Sequence, residues 1–152
     1  MTGIRMNLLD VNLTTGKNRV LDVTDEVMAY LGARGLANKL IWDGVPPGAD
    51  ALGPENILHI GVGPLTGIIG TKTILSFKSP LTGWAGRSSV SGYVGEEIVK
   101  ARYNAGIVIR GKAEKPVYLY VHDDQVEIRD ASDLWGMWKQ ETEVGIRDRL
   151  YV

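Results

Sequence analysis

The sequence predicts an α+β fold. Two observations carry this. Strand and helix signals alternate irregularly along the chain, and hairpin signals stand near both ends, at Ile4–Val23 and Val117–Arg129. A doubly wound parallel sheet needs regular strand–helix alternation instead. The totals fit one domain spanning residues 1–152, with 44% hydrophobic and 23% charged residues, enough apolar material for a real core. A formal net charge of −1 provides no field for nucleic acid or an anionic membrane. No apolar run reaches the roughly 18 residues of a membrane span. The start, MTGIRMNLLDVN, lacks the basic and apolar blocks of a signal peptide. The expectation is a cytoplasmic protein with neither nucleic-acid nor membrane partner.

The elements follow in order. Ile4, Met6 and Leu8 alternate as in a half-buried strand, and Asn12–Gly16 (NLTTG) is a turn leading to a return strand with Val20 and Val23. Thr24 is placed to cap a helix, with Asp25 and Glu26 in its positive first turn. Val27, Met28 and Leu31 form its expected buried side. Gly32-Ala-Arg-Gly35 breaks it, and Leu36, Leu40 and Ile41 continue at helical spacing until Val45-Pro-Pro-Gly48. Ile57–Val62 (ILHIGV) is an apolar run bounded by turns and predicts a buried strand. Thr73–Phe77 predicts another. The tetrapeptide PLTG occurs at Pro64 and again sixteen residues later at Pro80. It is read either as coincidence between two proline turns or as a small duplication around one site.

The segment KSPLTGWAGRSSVSGYVGEE runs from Lys78 to Glu97 and reads as a loop of small, hydroxylated and basic residues leading into a helix near Gly95. Val94, Ile98 and Ala101 share that helix's face. Gly106–Arg110 is a strand. Val126 and Ile128 point inward in the last hairpin, with Glu127 and Arg129 outward. Thr142 is read as the cap of a final helix through Leu150.

Glycine makes up 19 of 152 residues, eight of them between Gly61 and Gly95, against a usual share of about 7%. Backbone there turns sharply or approaches something closely. Cysteine is absent and histidine occurs twice, at His59 and His122. This excludes Cys nucleophiles, disulfides, zinc–thiolate sites and thiolate-bound clusters. The Ser88–Gly95 segment suits an anion held by backbone N–H groups and hydroxyls, with Lys72, Lys78 and Arg87 adding charge-assisted bonds. The alternative is a plain capping turn. Gly32–Gly35 is read as a helix break, His59 as a hydrogen-bonded packing residue, Asp123 and Asp124 as turn formers, and Trp135 and Trp138 as hydrophobic anchors.

VNLTTGK, LGARGLANKL, VPPGADALGPEN, GPLTG, KSPLTG, SGYVGEEIVKARYNAGIVIRGKAEKPVYLYV and VEIRDASDLWG occur in one order between Gly3 and Leu150. Together they resemble the N-terminal domain of the aldehyde ferredoxin oxidoreductase family. The resemblance implies two mostly antiparallel β-sheets with flanking helices. It also implies a base for a tungstopterin, a bis-molybdopterin carrying tungsten or molybdenum, with a magnesium ion bridging the pterin phosphates. In such enzymes later domains supply the four cysteines of a [4Fe–4S] cluster, aldehydes become carboxylic acids, and ferredoxin takes the electrons.

By this resemblance Lys72 stands where the family has an arginine near the cofactor. Ser89 stands where an asparagine carbonyl holds magnesium, and Ser91 and Gly92 align with a Gly-Gly pair. Ser88, Ser89, Ser91 and Gly92 together with Lys72 are the implied cofactor contacts. The chain departs from the pattern in a shorter Gly67–Thr73 turn, in lysine for arginine, and in SSVSG for ANSGG. With no cysteine for a cluster and no catalytic group of its own, the chain is expected to be inactive alone. It would serve as a base domain or split subunit that self-associates or joins a cysteine-rich partner. A non-enzymatic binding or assembly module derived from the same domain is the alternative.

Overall fold

The computed structural model describes residues 4–150. The first hairpin is β1 (Asn7–Asn12) and β2 (Lys17–Asp22). Asn12 Oδ1 closes its turn by accepting the N–H groups of Thr14 and Thr15 at 3.0 and 3.2 Å. Then come α1 (Thr24–Tyr30), α2 (Ala33–Gly44), β3 (Ile57–Gly61), β4 (Thr73–Lys78), β5 (Ala85–Val90) and α3 (Val94–Lys100). The chain continues through β6 (Gly106–Arg110), β7 (Val117–His122), β8 (Gln125–Asp130) and α4 (Lys139–Leu150). Six strands form one sheet in the order β2-β1-β6-β3-β4-β5, and β7 and β8 form a second. Every pairing is antiparallel except β1 with β6. The expected α+β fold with two mostly antiparallel sheets is observed.

The central sheet is buried on both faces at its middle. Successive residues of a strand point to opposite sides, so Leu8 and Val108 enter one cluster while Leu9 and Ile107 enter the other. The first cluster gathers Met6, Val23, Val27, Leu36 and Ile57 beneath the two N-terminal helices. The second joins Val11 and Tyr103 to Ile98 of α3 and to Leu119, Val121, Val126 and Ile128 of the small sheet. This explains why the central strands read as apolar runs rather than as clean alternation.

Asp10 sits inside this layer at 4% exposure. A buried carboxylate is stable only with partners. Arg19 Nε of β2 donates to its Oδ2 at 3.0 Å and Arg110 Nε of β6 to its Oδ1 at 2.7 Å, so one side chain ties three adjacent strands. Both arginines keep contact with solvent, which moderates the loss when the carboxylate is removed. Asp10→Ala is expected to lower the unfolding free energy by about 2 kcal/mol. Urea midpoints at neutral pH measure it, and a change within error of zero would refute the tie.

Several local expectations are corrected. Thr24 does not cap α1. Its Oγ1 donates to Asp22 Oδ1 at 2.5 Å and accepts the Met6 N–H at 2.9 Å, so it fastens the strand ends while the helix starts without a side-chain cap. Val27 is buried, but Met28 and Leu31 are 71% and 91% exposed. Met28 lies more than about a quarter of a turn off the Val27 stripe. Leu31 is the left-handed hinge residue (φ 57°), outside the helix whose spacing was extrapolated to it. At the C-terminal end the helix begins before Thr142. Glu141 Oε2 accepts the Trp138 N–H at 3.0 Å, and Thr142 Oγ1 donates to the Trp138 carbonyl one turn back at 3.1 Å. Trp135 and Trp138 are not anchors, because both rings stand exposed and Leu134 is the buried residue of that segment.

Candidate anion site on the β4–β5 hairpin

The Lys78–Tyr93 stretch is not one long loop. Ala85–Val90 pairs along all of β4, from Lys78 with Ala85 to Thr73 with Val90. A run of Gly, Arg and Ser has weak strand propensity, and it is held here by the β4 ladder as the edge of the sheet. Ser88 and Ser89 therefore lie within a strand and on opposite faces, opposite Leu75 and Ile74 respectively.

The same register brings together other predicted residues. Lys72 and Ser91 each stand one position beyond the Thr73–Val90 pair, at the same end of the hairpin. Gly92 follows at φ 124°, with no atom within 4 Å of where a Cβ would stand. No acceptor among the described residues takes the N–H of Ser91, Gly92 or Tyr93. Lys72 is exposed and makes no ion pair among the described residues. The result is an open turn of free donors beside an unpaired cation, which suits an anion. The helix that follows has only seven residues, so its dipole adds less than the sequence suggests.

Two other cations do not join. Lys78 is at the far end of β4, about 17 Å away along the strand, and its Nζ donates to the Ala49 carbonyl. Arg87 pairs with Ser76 in mid-hairpin. The two PLTG turns also sit at opposite ends of β4, one before Thr73 and one after Lys78, so they do not surround one site and coincidence is the reading that survives.

A residue absent from the sequence reading is Arg34. It lines a cavity of about 500 Å³ together with Lys72, Leu31, Pro64, Leu65 and Ile69. The GARG motif was legible as a helix break, and the break is real: Gly32 has φ 94°, and a Cβ on Gly35 would stand 1.8 Å from the Tyr30 carbonyl oxygen. That tight approach sets how α1 and α2 meet, which no local pattern reports. An adjoining apolar cavity of about 820 Å³ lies between α1, the Gly63–Gly67 turn and α3, lined by Met28, Leu31, Ile68 and Val99 among others.

His59 is fully buried, and its Nε2–H donates to the Ala105 carbonyl at 3.1 Å, as a packing histidine should. Burial lowers its pKa to about 4, against a smaller opposing effect of the Ala105 bond. Nδ1 has no partner. No group of three or more His, Asp or Glu side chains is placed to hold a metal ion among the described residues.

Leu31, Leu81, Trp42, Trp84, Trp135 and Trp138 all stand at the surface. The fold defines the class: an α+β domain of two mostly antiparallel sheets with flanking helices. The sequence matches the family described as "Aldehyde ferredoxin oxidoreductase, N-terminal domain" over residues 8–151, and the chain belongs to that family. It is 47% identical over 144 residues to the tungsten-containing aldehyde ferredoxin oxidoreductase of Pyrococcus furiosus, covering 92% of this chain and 24% of that protein. The enzyme of the same name from Thermococcus kodakarensis is 46% identical over 146 residues. An aliphatic sulfonate oxidoreductase, WOR-like subunit, of Pyrococcus furiosus is 44% identical over 135 residues. Among solved structures, the active site complex BamBC of benzoyl coenzyme A reductase matches with a TM-score of 0.88 and 36% identity, covering 97% of this chain and 24% of that one. The chain thus spans about a quarter of the length of the relatives it matches. No helix among the described residues is long and apolar enough to cross a membrane.

Proposed function

We propose that this chain is the cofactor-base domain of a tungsten bis-pterin aldehyde:ferredoxin oxidoreductase, contributing one wall of the cofactor site and no catalytic group. The observation that carries this is the meeting of Lys72 with the Ser91–Gly92 turn at one end of the β4–β5 hairpin, in a chain of this family. The residues fit the phosphate part of such a group. Gly92 leaves open space, the turn's N–H groups are free, and Lys72 is an unpaired cation. In this reading Lys72, Ser91 and Gly92 hold pterin phosphate, with Ser88 and Ser89 flanking. An edge strand leaves alternate carbonyls unpaired, and magnesium takes oxygen ligands, which supports the Ser89 carbonyl as a magnesium contact. When bound, the metal and its pterins supply the two-electron oxidation of aldehyde to carboxylic acid, with ferredoxin as acceptor. A cysteine-rich chain or segment supplies the cluster and covers the exposed apolar face.

The test is co-expression with a cysteine-rich chain encoded beside it in its native host, followed by metal and pterin analysis of the complex. Tungsten or molybdenum with pterin is the expected result, and Ser91→Asp should reduce retained pterin at least tenfold by repelling phosphate. A metal-free, pterin-free complex would sink the proposal in favour of an assembly module. The chain without its partner is expected to self-associate, read by light scattering. A monodisperse monomer at high concentration would contradict the covered-face argument.

A further inference from the structure

We infer that the outer edge of β7 is a self-pairing surface, where two copies of this chain join β7 to β7 antiparallel about a two-fold axis at Leu119. The small sheet contains only β7 and β8, so each has one edge without a strand. Ala131 N–H donates to the Pro116 carbonyl at 2.8 Å, and the register runs one-to-one from Val117–Asp130 to His122–Gln125. Opposed residues in such a ladder alternate between bonded and unbonded pairs. Tyr118, Tyr120 and His122 therefore exchange hydrogen bonds with β8. Val117, Leu119 and Val121 turn their N–H and C=O groups outward, where no backbone partner meets them among the described residues. The other edge strands are guarded. β2 carries Lys17, Arg19 and Asp22, β5 carries Arg87, and β8 carries Glu127, Arg129 and Asp130. Charges on an edge deter a further strand. β7, VYLYVH, has no Asp, Glu, Lys or Arg, no proline and no bulge. A second β7 is the occupant that fits, because an uncharged strand meets itself without like-charge repulsion. Centring on Leu119 sets that residue opposite its own copy and Val117 opposite Val121, so every outward group on both strands is bonded at once. The same register sets Tyr118 opposite Tyr120 of the second copy, as an aromatic pair. Arg129 already lies over the Tyr120 ring, 3.7 Å from its centroid. A lone hairpin is marginal and a wider sheet is not, and the two-fold closes the assembly at a dimer. This gives the self-association expected above a definite surface, and it does not depend on a bound cofactor.

The test is sedentation equilibrium of the full chain, with residue-resolved amide hydrogen exchange across the same concentrations. A reversible monomer–dimer equilibrium is expected, and the Val117, Leu119 and Val121 amides should gain protection as the dimer forms. Val117→Pro deletes an outward N–H from each copy and spares the hairpin, so it should weaken the dimer about tenfold or more. Two double variants read the register with equal loss of aromatic surface. Tyr118→Lys with Tyr120→Glu sets opposite charges across the axis, whereas Tyr118→Lys with Tyr120→Lys sets like charges. The first should dimerise about tenfold tighter than the second. Urea midpoints confirm that each variant is folded. Equal affinity of the two doubles overturns the register. A dimer that Val117→Pro leaves unchanged, with the outward amides still exchanging freely, overturns the inference while self-association stands. A monomer at every concentration overturns both. Protection of these amides only in the complex with the cysteine-rich chain gives the edge to that chain and overturns the second-copy assignment.

Discussion

Gly106→Ala should abolish cooperative folding or leave a barely stable chain. Gly106 opens β6 at φ 99°, and a Cβ there would lie 2.3 Å from the Ile60 carbonyl oxygen and 2.9 Å from Gly61 Cα. Both obstacles are backbone, held by β3–β6 pairing on one side and by the Leu8–Gly106 step of the parallel β1–β6 ladder on the other. Left-handed strain alone costs about 1–3 kcal/mol, and the clash adds displacement of the central sheet. A total of about 4 kcal/mol or more consumes much of the roughly 5–15 kcal/mol available to a domain. Gly16→Ala is the control. Its φ is 67° but nothing lies within 4 Å, so it should cost only about 1–2 kcal/mol. Urea midpoints of both variants decide the matter. A Gly106→Ala midpoint close to that of Gly16→Ala would show that β3 moves aside freely.

The second large effect is a loss of stability in mild acid through His59. Its folded pKa is lowered from 6.5 to about 4 by burial. Between those values the unfolded chain binds a proton that the folded chain refuses. Stability therefore rises with pH across the window and is lost as pH falls from 6.5 toward 4, by about 3 kcal/mol in all. Below the folded value both states carry the proton and the contribution levels off. Carboxylates titrate in the same range, so the measurement is a difference. Unfolding free energies at pH steps from about 4 to 7 are compared for the wild type and His59→Gln, which keeps a donor for the Ala105 carbonyl. The variant is expected to start lower at neutral pH and to lose less on acidification. Parallel curves would mean that water or movement reaches Nδ1 and the imidazole charges in place.

The candidate site was only partly legible. Ser91 and Gly92 were singled out because small, hydroxylated and glycine residues before a helix advertise free N–H groups, and the β4–β5 register puts Ser91 and Lys72 one position beyond the same strand pair. Ser88 and Ser89 were drawn into the same loop, yet they occupy an edge strand and face apart. Their strand state comes from β4, a partner that local propensity does not report. Lys78 looked like a neighbour in sequence and lies at the other end of the hairpin. Arg34 looked like part of a helix break and lines a cavity with Lys72, because which residues line one cavity across 38 positions depends on how the helices pack on the sheet.

The sequence alone determined the fold class and every element except β5. The Asn12–Gly16 turn, the apolar runs at Ile57–Val62 and Gly106–Arg110, and the glycine break at Gly32 are short-range signals, and each acts within a few residues of where it is written. It also determined, through the absence of cysteine, that these residues offer no thiolate to a cluster. Tertiary structure decided the rest. It placed β6 between β1 and β3, buried Asp10 between two arginines from neighbouring strands, exposed Leu31 at the hinge, and left Trp135 and Trp138 in the open. Burial and pairing are properties of the surfaces that meet, and residues hydrogen-bonded here are up to 108 positions apart.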